Sequence, residues 1–239
     1  MSLTVLIPIK NESLIIDKTI TDLENSWIKE IDHEIIFLDD FSSDNTAQKI
    51  KDLDKKKLNI NIINNTKPGL GSAIYLGVIN SKKEYFTIFM ADLSDSIKDM
   101  QMYYNTIKNK NLDSVFGSRF IQDSKVNDYP IRKLILNRIA NNIIRLLFLS
   151  NYNDFTNAFK IYKLTSLKAL FPFVSESFNI FLELPLKIIS RNYNYEITPI
   201  SWNGRKKGSS KFNINELGSN YIFTLIYCFS EKILLKKKK

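Results

Sequence analysis

Asp92 and Asp95 stand three residues apart in Ala91-Asp92-Leu93-Ser94-Asp95, just after the apolar run Tyr85 to Met90. One or two carboxylates, completed by substrate phosphate oxygens and waters, is a common way to hold Mg²⁺ or Mn²⁺. Either aspartate could instead cap the helix that follows, because a side-chain oxygen there satisfies orphan backbone N–H groups. Two further polar clusters follow apolar runs: Lys10-Asn11-Glu12 after Leu3 to Ile9, and Asp39-Asp40 with Asp44 after Glu34 to Leu38. Carboxylates and amides suit a base, a ribose and a metal better than a bare phosphate. Turn and cap duty is the alternative for Asp39, Asp40 and Asp44.

Other chemistries lose their usual support. The sole histidine, His33, and the sole cysteine, Cys228, exclude a His-rich or Cys-based zinc site and an internal disulfide. No nucleophile elbow G-x-S-x-G, P-loop G-x-x-x-x-G-K-[ST] or dinucleotide G-x-G-x-x-G occurs in the chain.

The acidic clusters need a scaffold that brings them together. Ile16, Ile20, Leu23 and Trp27 recur at helical spacing after the first apolar run. Glu34 to Leu38, Ile60 to Ile63 and Tyr85 to Met90 read as strands, and a second helix opens near Thr46. Lys67-Pro68-Gly69-Leu70-Gly71 is a turn feeding a third helix. Strands alternating with helices predict βαβ units and a mostly parallel sheet, whose ligands bind outside the carboxyl ends of the strands. All three polar clusters fall at those ends. Further on, Ile131, Leu134, Ile135, Ile139, Ile143, Leu146 and Leu147 mark an amphipathic helix whose stripe is expected to face the core more often than a membrane. Tyr195 to Trp202 reads as a strand, Gly204 to Lys211 as a basic loop, and Ile214 to Leu235 as a final helix.

Taken in order, Val5 to Glu12, Leu38 to Thr46, Gly69-Leu70-Gly71-Ser72-Ala73 and Ala91-Asp92-Leu93-Ser94 resemble family 2 glycosyltransferases of the GT-A fold. Gly117-Ser118-Arg119-Phe120, Asp154 to Lys160, Phe181-Leu182-Glu183 and Arg205 to Lys211 look like the polyprenol-phosphate mannosyl and glucosyl transferases within that family. The resemblance implies a GT-A α/β domain over 1–212, its donor half about 1–120 and its acceptor half about 121–212, with an amphipathic, basic tail at 213–239. It implies transfer of a sugar, with inversion, from a donor of the GDP-mannose or UDP-glucose type to a polyprenyl phosphate. The alternatives are transfer to a saccharide or lipid hydroxyl, or an inactive nucleotide-sugar-binding homologue.

Carried over by position, the resemblance puts Pro8, Asn11, Glu12, Asp40, Gly69, Gly71, Ala91 and Asp92 around the nucleotide sugar. Asp92 would hold Mg²⁺ or Mn²⁺, with Asp95 as a possible helper. Met90 replaces the first aspartate of the family's D-A-D segment, and its soft thioether is a poor ligand for Mg²⁺. Arg119, Lys133, Arg205 and Lys211 match positions that meet phosphates, and Asp92, Arg119, Asp154, Arg205 and Lys211 form the expected catalytic set. Asp154 and Glu183 match acidic positions near the acceptor side, where each either orients a basic residue or is buried structurally.

The 239 residues carry a formal charge of +9, with Lys206, Lys207 and Lys236 to Lys239 among the contributors, so anionic partners are expected. The 44% apolar and 25% charged composition is that of a globular protein. No recognisable nucleic-acid-binding signature accompanies the charge, and nucleic acid is not an expected partner. No N-terminal segment resembles a signal peptide, which predicts a cytoplasmic setting. Without a stretch of about 20 apolar residues, attachment to the cytoplasmic face of a membrane would be peripheral, through the helix from Ile131, the tail helix and the terminal lysines.

Overall fold

The computed structural model describes residues 1–52, 58–204 and 214–235. Its first half alternates as expected: β1 (Ser2–Ile9), α1 (Ile16–Glu24), β2 (Asp32–Asp39), α2 (Thr46–Lys51), β3 (Ile60–Asn64), α3 (Leu70–Asn80) and β4 (Tyr85–Ile88). The second half runs α4 (Ile97–Lys110), β5 (Ser114–Ser118), β6 (Lys125–Asn127), α5 (Ile131–Phe148), β7 (Lys160–Lys163), α6 (Leu164–Lys168), α7 (Ile180–Ser190), β8 (Tyr195–Pro199), β9 (Ser201–Asn203) and α8 (Ile214–Leu234). Seven strands form one sheet in the order β3-β2-β1-β4-β7-β5-β8, and β6 pairs with β9 in a small second sheet. Only β7 runs antiparallel to its neighbours in the large sheet.

Alternation along β1 explains the layering. Leu3, Val5, Ile7 and Ile9 pack with α1 and α4 on one face, whereas Leu6 points to the other face with α3 and α7. A strand buried on both sides is expected to be largely apolar, and from Val5 to Ile9 β1 is, while the buried Thr4 hydroxyl donates to Glu34 Oε1 at 2.6 Å. The chain leaves β1 for β2 on one side and returns from β3 to β4 on the other, so strand order reverses at β1. Polar residues at the carboxyl ends of β1, β2 and β4 therefore lie along one edge of the sheet, where ligands of such sheets bind.

Two elements differ from their sequence reading. The expected strand Tyr195 to Trp202 splits at Ile200: β8 joins the large sheet beside β5, and β9 pairs with β6. The stripe on α5 does not face the core. Ile131, Ile139 and Leu146 are 73%, 53% and 74% exposed, while Asn141, Ile144 and Phe148 are the buried face. Periodicity locates an apolar face but not what covers it, and here Asn141 is held inward by donating to the Asn137 carbonyl and accepting from Phe155 N.

Candidate active site

Each of the three turns that follow β1, β2 and β4 bends through one non-glycine residue with positive φ: Asn11 (53°), Phe41 (59°) and Leu93 (56°). Bulky side chains rarely adopt that conformation, and such strain persists where surrounding contacts over-determine it. Asn11 shows how. Its Oδ1 accepts from Ser43 N at 2.7 Å, and Ser42 Oγ accepts from Asn11 N at 3.0 Å, tying the β1 turn to the β2 turn. Glu12, 8% exposed, donates its backbone N–H to Thr46 Oγ1, and Pro8 is buried within β1 opposite Leu38. Asp44 accepts from Thr46 and Ser13; burial works against its charge, but these hydrogen bonds hold its carboxyl down at about 2. That is the turn duty expected of Asp44.

Asp40 is the hub of the polar contacts between the ends of β2 and β3 and the start of α3. Its Oδ1 accepts from Asn65 Nδ2 at 2.7 Å and Gly69 N at 2.9 Å, and its Oδ2 faces Lys10 Nζ at 3.2 Å. Asn65 had not been singled out, although its place immediately after β3, beside the other strand-end clusters, was the available signal. Gly69, at φ 128°, and Gly71 turn the chain into α3 where a Cβ would overlap the carbonyls of Glu176 and Ser175. No other residue fits both positions.

Past β4, Ala91 is buried and its carbonyl accepts from Thr19 Oγ1 of α1 at 2.8 Å, which fixes the start of the acidic turn. Asp92 Oδ1 accepts from Ser94 N at 3.1 Å. Asp95 is 7% exposed, and burial, with the charge of Asp92 next, pushes its carboxyl up to about 8. Asp92 and Asp95 both line a crevice of about 780 Å³ with Lys18, Asp22 and Asn203. Among the described residues no cluster of three or more His, Cys, Asp or Glu side chains forms a metal cage.

A backbone bridge between Asp95 and Trp202 brings the second half of the site against the first. The Trp202 ring lies 5.6 Å from the Arg119 guanidinium carbon, and Phe120 and Tyr129 each lie 5.3 Å from it. Arg119 donates from Nε (2.8 Å) and Nη2 (2.6 Å) to the two oxygens of Asp154, a carboxylate with no exposure, which also accepts from Arg119 N. Burial works against the Arg119 charge, and Asp154 more than offsets it, leaving the guanidinium firmly protonated. Asp154 is fully buried and bidentate to Arg119, so its geometry meets both of the descriptions open to it.

The sequence profile of glycosyl transferase family 2 matches residues 4–171. The chain belongs to glycosyl transferase family 2. It is 31% identical over 137 residues to a dolichol-phosphate mannosyltransferase of Pyrococcus furiosus, covering 56% of this chain and 38% of the relative. It is 24% identical over 194 residues to a polyprenol monophosphomannose synthase of Mycolicibacterium smegmatis, covering 78% of this chain and 71% of the relative. The chain thus spans well under half the length of the first relative and about seven-tenths of the second. Among solved structures, glucosyl-3-phosphoglycerate synthase of Mycobacterium tuberculosis, bound to Mn²⁺, UDP and phosphoglyceric acid, superposes with a TM-score of 0.71 at 16% identity, covering 95% of this chain and 78% of that one. S. aureus TarS superposes at 0.64 and 16% identity over 100% of this chain and 67% of its own. The fold of the family 2 protein is therefore the GT-A arrangement, with the C-terminal helix α8 appended.

Not every expected phosphate ligand joins this cluster. Lys133 is exposed on the first turn of α5, and Arg205 and Lys211 lie outside the described residues. A cation that had not been anticipated lies inside instead. Lys160 of the family 2 chain, 1% exposed, donates to the carbonyls of Phe155 and Asn157, and burial pulls its ammonium down to about 7 despite the charge of Asp154. Unfolded, the same lysine titrates near 10.4. Between about pH 7 and pH 10 the unfolded chain binds the extra proton, so stability rises with pH across that window. Lys160→Met is expected to remove this rise, seen as a urea midpoint that no longer climbs between pH 7 and pH 9; an unchanged slope would exclude Lys160 as its source.

Proposed function

We propose that this protein transfers a sugar from a nucleoside-diphosphate donor of the GDP-mannose or UDP-glucose type to a polyprenyl phosphate, inverting the anomeric carbon. One observation carries the reading: Asp40 and Asp92 stand at strand ends on either side of β1, where strand order reverses and a nucleotide is held in such sheets. The names of the two relatives support the acceptor, and the Mn²⁺ and UDP held by the M. tuberculosis synthase support the donor class and a divalent cation.

Asp92 and Asp95 fit Mg²⁺ or Mn²⁺ as hard oxygen donors, provided the donor's diphosphate completes the shell. A cation bound there neutralises charge that builds on the leaving diphosphate. Asp40 would accept hydrogen bonds from the base or ribose, with Pro8, Asn11, Glu12, Ala91 and the Gly69–Gly71 turn shaping the walls. Arg119, fixed by Asp154 and boxed by three rings, would supply positive field on the acceptor side. Lys133, Arg205 and Lys211 are proposed as further acceptor-phosphate contacts, with 1–212 as the catalytic domain and 213–239 as its tail.

The state of the carboxylates argues for a phosphate rather than a hydroxyl acceptor. A hydroxyl needs a positioned base. Both oxygens of Asp154 are committed to Arg119, and Asp92 and Asp95 are assigned to the cation, which leaves none of the three to act as that base. A phosphomonoester, with its second pKa near 6, is already a nucleophilic dianion at pH 7. Incubating the protein with a panel of nucleotide sugars and short polyprenyl phosphates, with and without Mn²⁺ or Mg²⁺, is expected to yield a lipid-linked sugar only with metal. No product under any combination would overturn the reading.

A polyprenyl acceptor requires contact with a bilayer. No helix among the described residues is long and apolar enough to cross one. The exposed α5 stripe, with exposed Arg132, Lys133 and Arg145 and no acidic residue along the helix, and exposed Ile222, Phe223 and Ile226 of α8 suit peripheral binding at an anionic cytoplasmic face. Ile139→Asp with Ile143→Asp is expected to cut co-sedimentation with phosphatidylglycerol vesicles at least tenfold while sparing transfer to a water-soluble short-chain acceptor. Undiminished sedimentation would remove α5 from the membrane surface.

A further inference from the structure

Helix α7 carries two charges that the site described above does not use. Glu183 and Lys187, one turn apart and both without exposure, form an ion pair at 2.6 Å. The Glu183 carboxylate accepts from Val174 N at 3.0 and 3.1 Å and from Ser175 N at 2.8 Å. Lys187 Nζ donates to Leu170 O at 3.2 Å and Pro172 O at 2.5 Å. The segment 170–175 is thus gripped by its amides through one partner and by its carbonyls through the other. A buried ion pair is weak support for stability, because a well-packed apolar pair often does as well. What the pair provides instead is a fixed position for a stretch of backbone.

That backbone is the rear wall of the donor turn. The carbonyls of Ser175 and Glu176 occupy the space where side chains at Gly71 and Gly69 would stand, and Gly71 N donates to Glu176 O at 3.0 Å. Gly69 N in turn donates to Asp40 Oδ1 at 2.9 Å. A continuous series of polar contacts therefore runs from α7 through 174–176 and the glycines to Asp40. Thr224 of α8 joins it: its Oγ1 lies 3.2 Å from Ser175 Oγ and accepts from Asn179 Nδ2 at 2.9 Å.

We infer that Glu183 and Lys187 are positioning residues for the donor nucleotide, setting the Gly69–Gly71 turn and Asp40 by holding the segment 170–176 against them. The inference rests on the donor reading given above. Sites built on a loop keep their geometry only when supporting groups lock it, and a misplacement of about 1 Å is enough to cost a hundredfold. The loss here falls on nucleotide binding rather than on the displacement step, because Asp92 and the Arg119–Asp154 pair are held by other contacts.

The test is calorimetric titration of the full chain with UDP and GDP in the presence of Mn²⁺, alongside steady-state kinetics. Wild type is expected to bind at least one of them; binding of neither would defeat the donor reading itself. Glu183→Gln, and the double variant Glu183→Gln with Lys187→Met that leaves no lone buried charge, are expected to weaken nucleotide binding at least tenfold. Donor KM should rise to match, with acceptor KM and kcat at saturating donor within twofold, the signature of lost ground-state binding. Should Glu183→Gln fail to fold, the double variant carries the same readout. A folded variant that binds nucleotide within twofold of wild type, or that loses donor and acceptor constants equally, would overturn the inference.

Discussion

Asp92→Asn is expected to lower kcat by roughly a thousandfold at saturating donor and Mn²⁺, the scale on which loss of one charged stabiliser of a transition state is felt. The substitution is nearly isosteric, and the asparagine oxygen still accepts from Ser94 N, so the turn that shapes the crevice stays in place. What is removed is charge. With Met90 where the family's first aspartate stands, Asp92 is the carboxylate on which a cation here would chiefly depend. Asp95 responds as well: the Asp92 charge is, after burial, the main reason its proton is retained, so Asp95 becomes easier to ionise in the variant. Turnover of nucleotide sugar to lipid-linked product, compared with a thermal melt of the same preparation, separates the two effects. Retained turnover would take Asp92 out of the chemistry, and a collapsed melt would make its role structural.

The strand-end part of this site was legible because its signals are local. Apolar runs ended by polar bursts gave the strand ends, and a parallel sheet places strand ends together, so Asn11, Asp40 and Asp92 could be placed at one edge of the sheet from sequence alone. The cluster around Arg119 was less legible because its decisive contacts are distant in sequence. Arg119 and Asp154 are 35 positions apart on different elements, and nothing in their spacing reveals a bidentate pair. Burial was one of the readings open to Glu183, but its ion pair with Lys187 one turn on was not legible as buried, since helical spacing more often marks an exposed pair. The α5 stripe failed for the converse reason: its period is helical, yet Asn141 rather than Ile139 is turned inward by partners on the 155 loop that no local pattern encodes.

Asp154→Asn is expected to damage stability more than any other single change in the site, by about 3–5 kcal/mol, because it leaves a buried guanidinium without its counter-charge. Arg119 cannot escape by losing its proton, and the three rings around it leave only 9% of the residue exposed to water. For a chain of this size each kcal/mol moves the melting temperature by roughly 2–4 °C, so a fall of about 6–20 °C is the expected result. The neighbouring cation makes the outcome specific. Asp154 is the largest influence keeping the Lys160 ammonium protonated, so its loss pulls that group down further and steepens the dependence of stability on pH below neutrality. Arg119→Met with Asp154→Leu removes both charges, and it should recover most of the lost melting temperature because an apolar pair pays no desolvation. Activity should not return with it, since the positive field proposed for the acceptor phosphate is gone. A double variant that is both stable and active would show that the pair serves the fold alone.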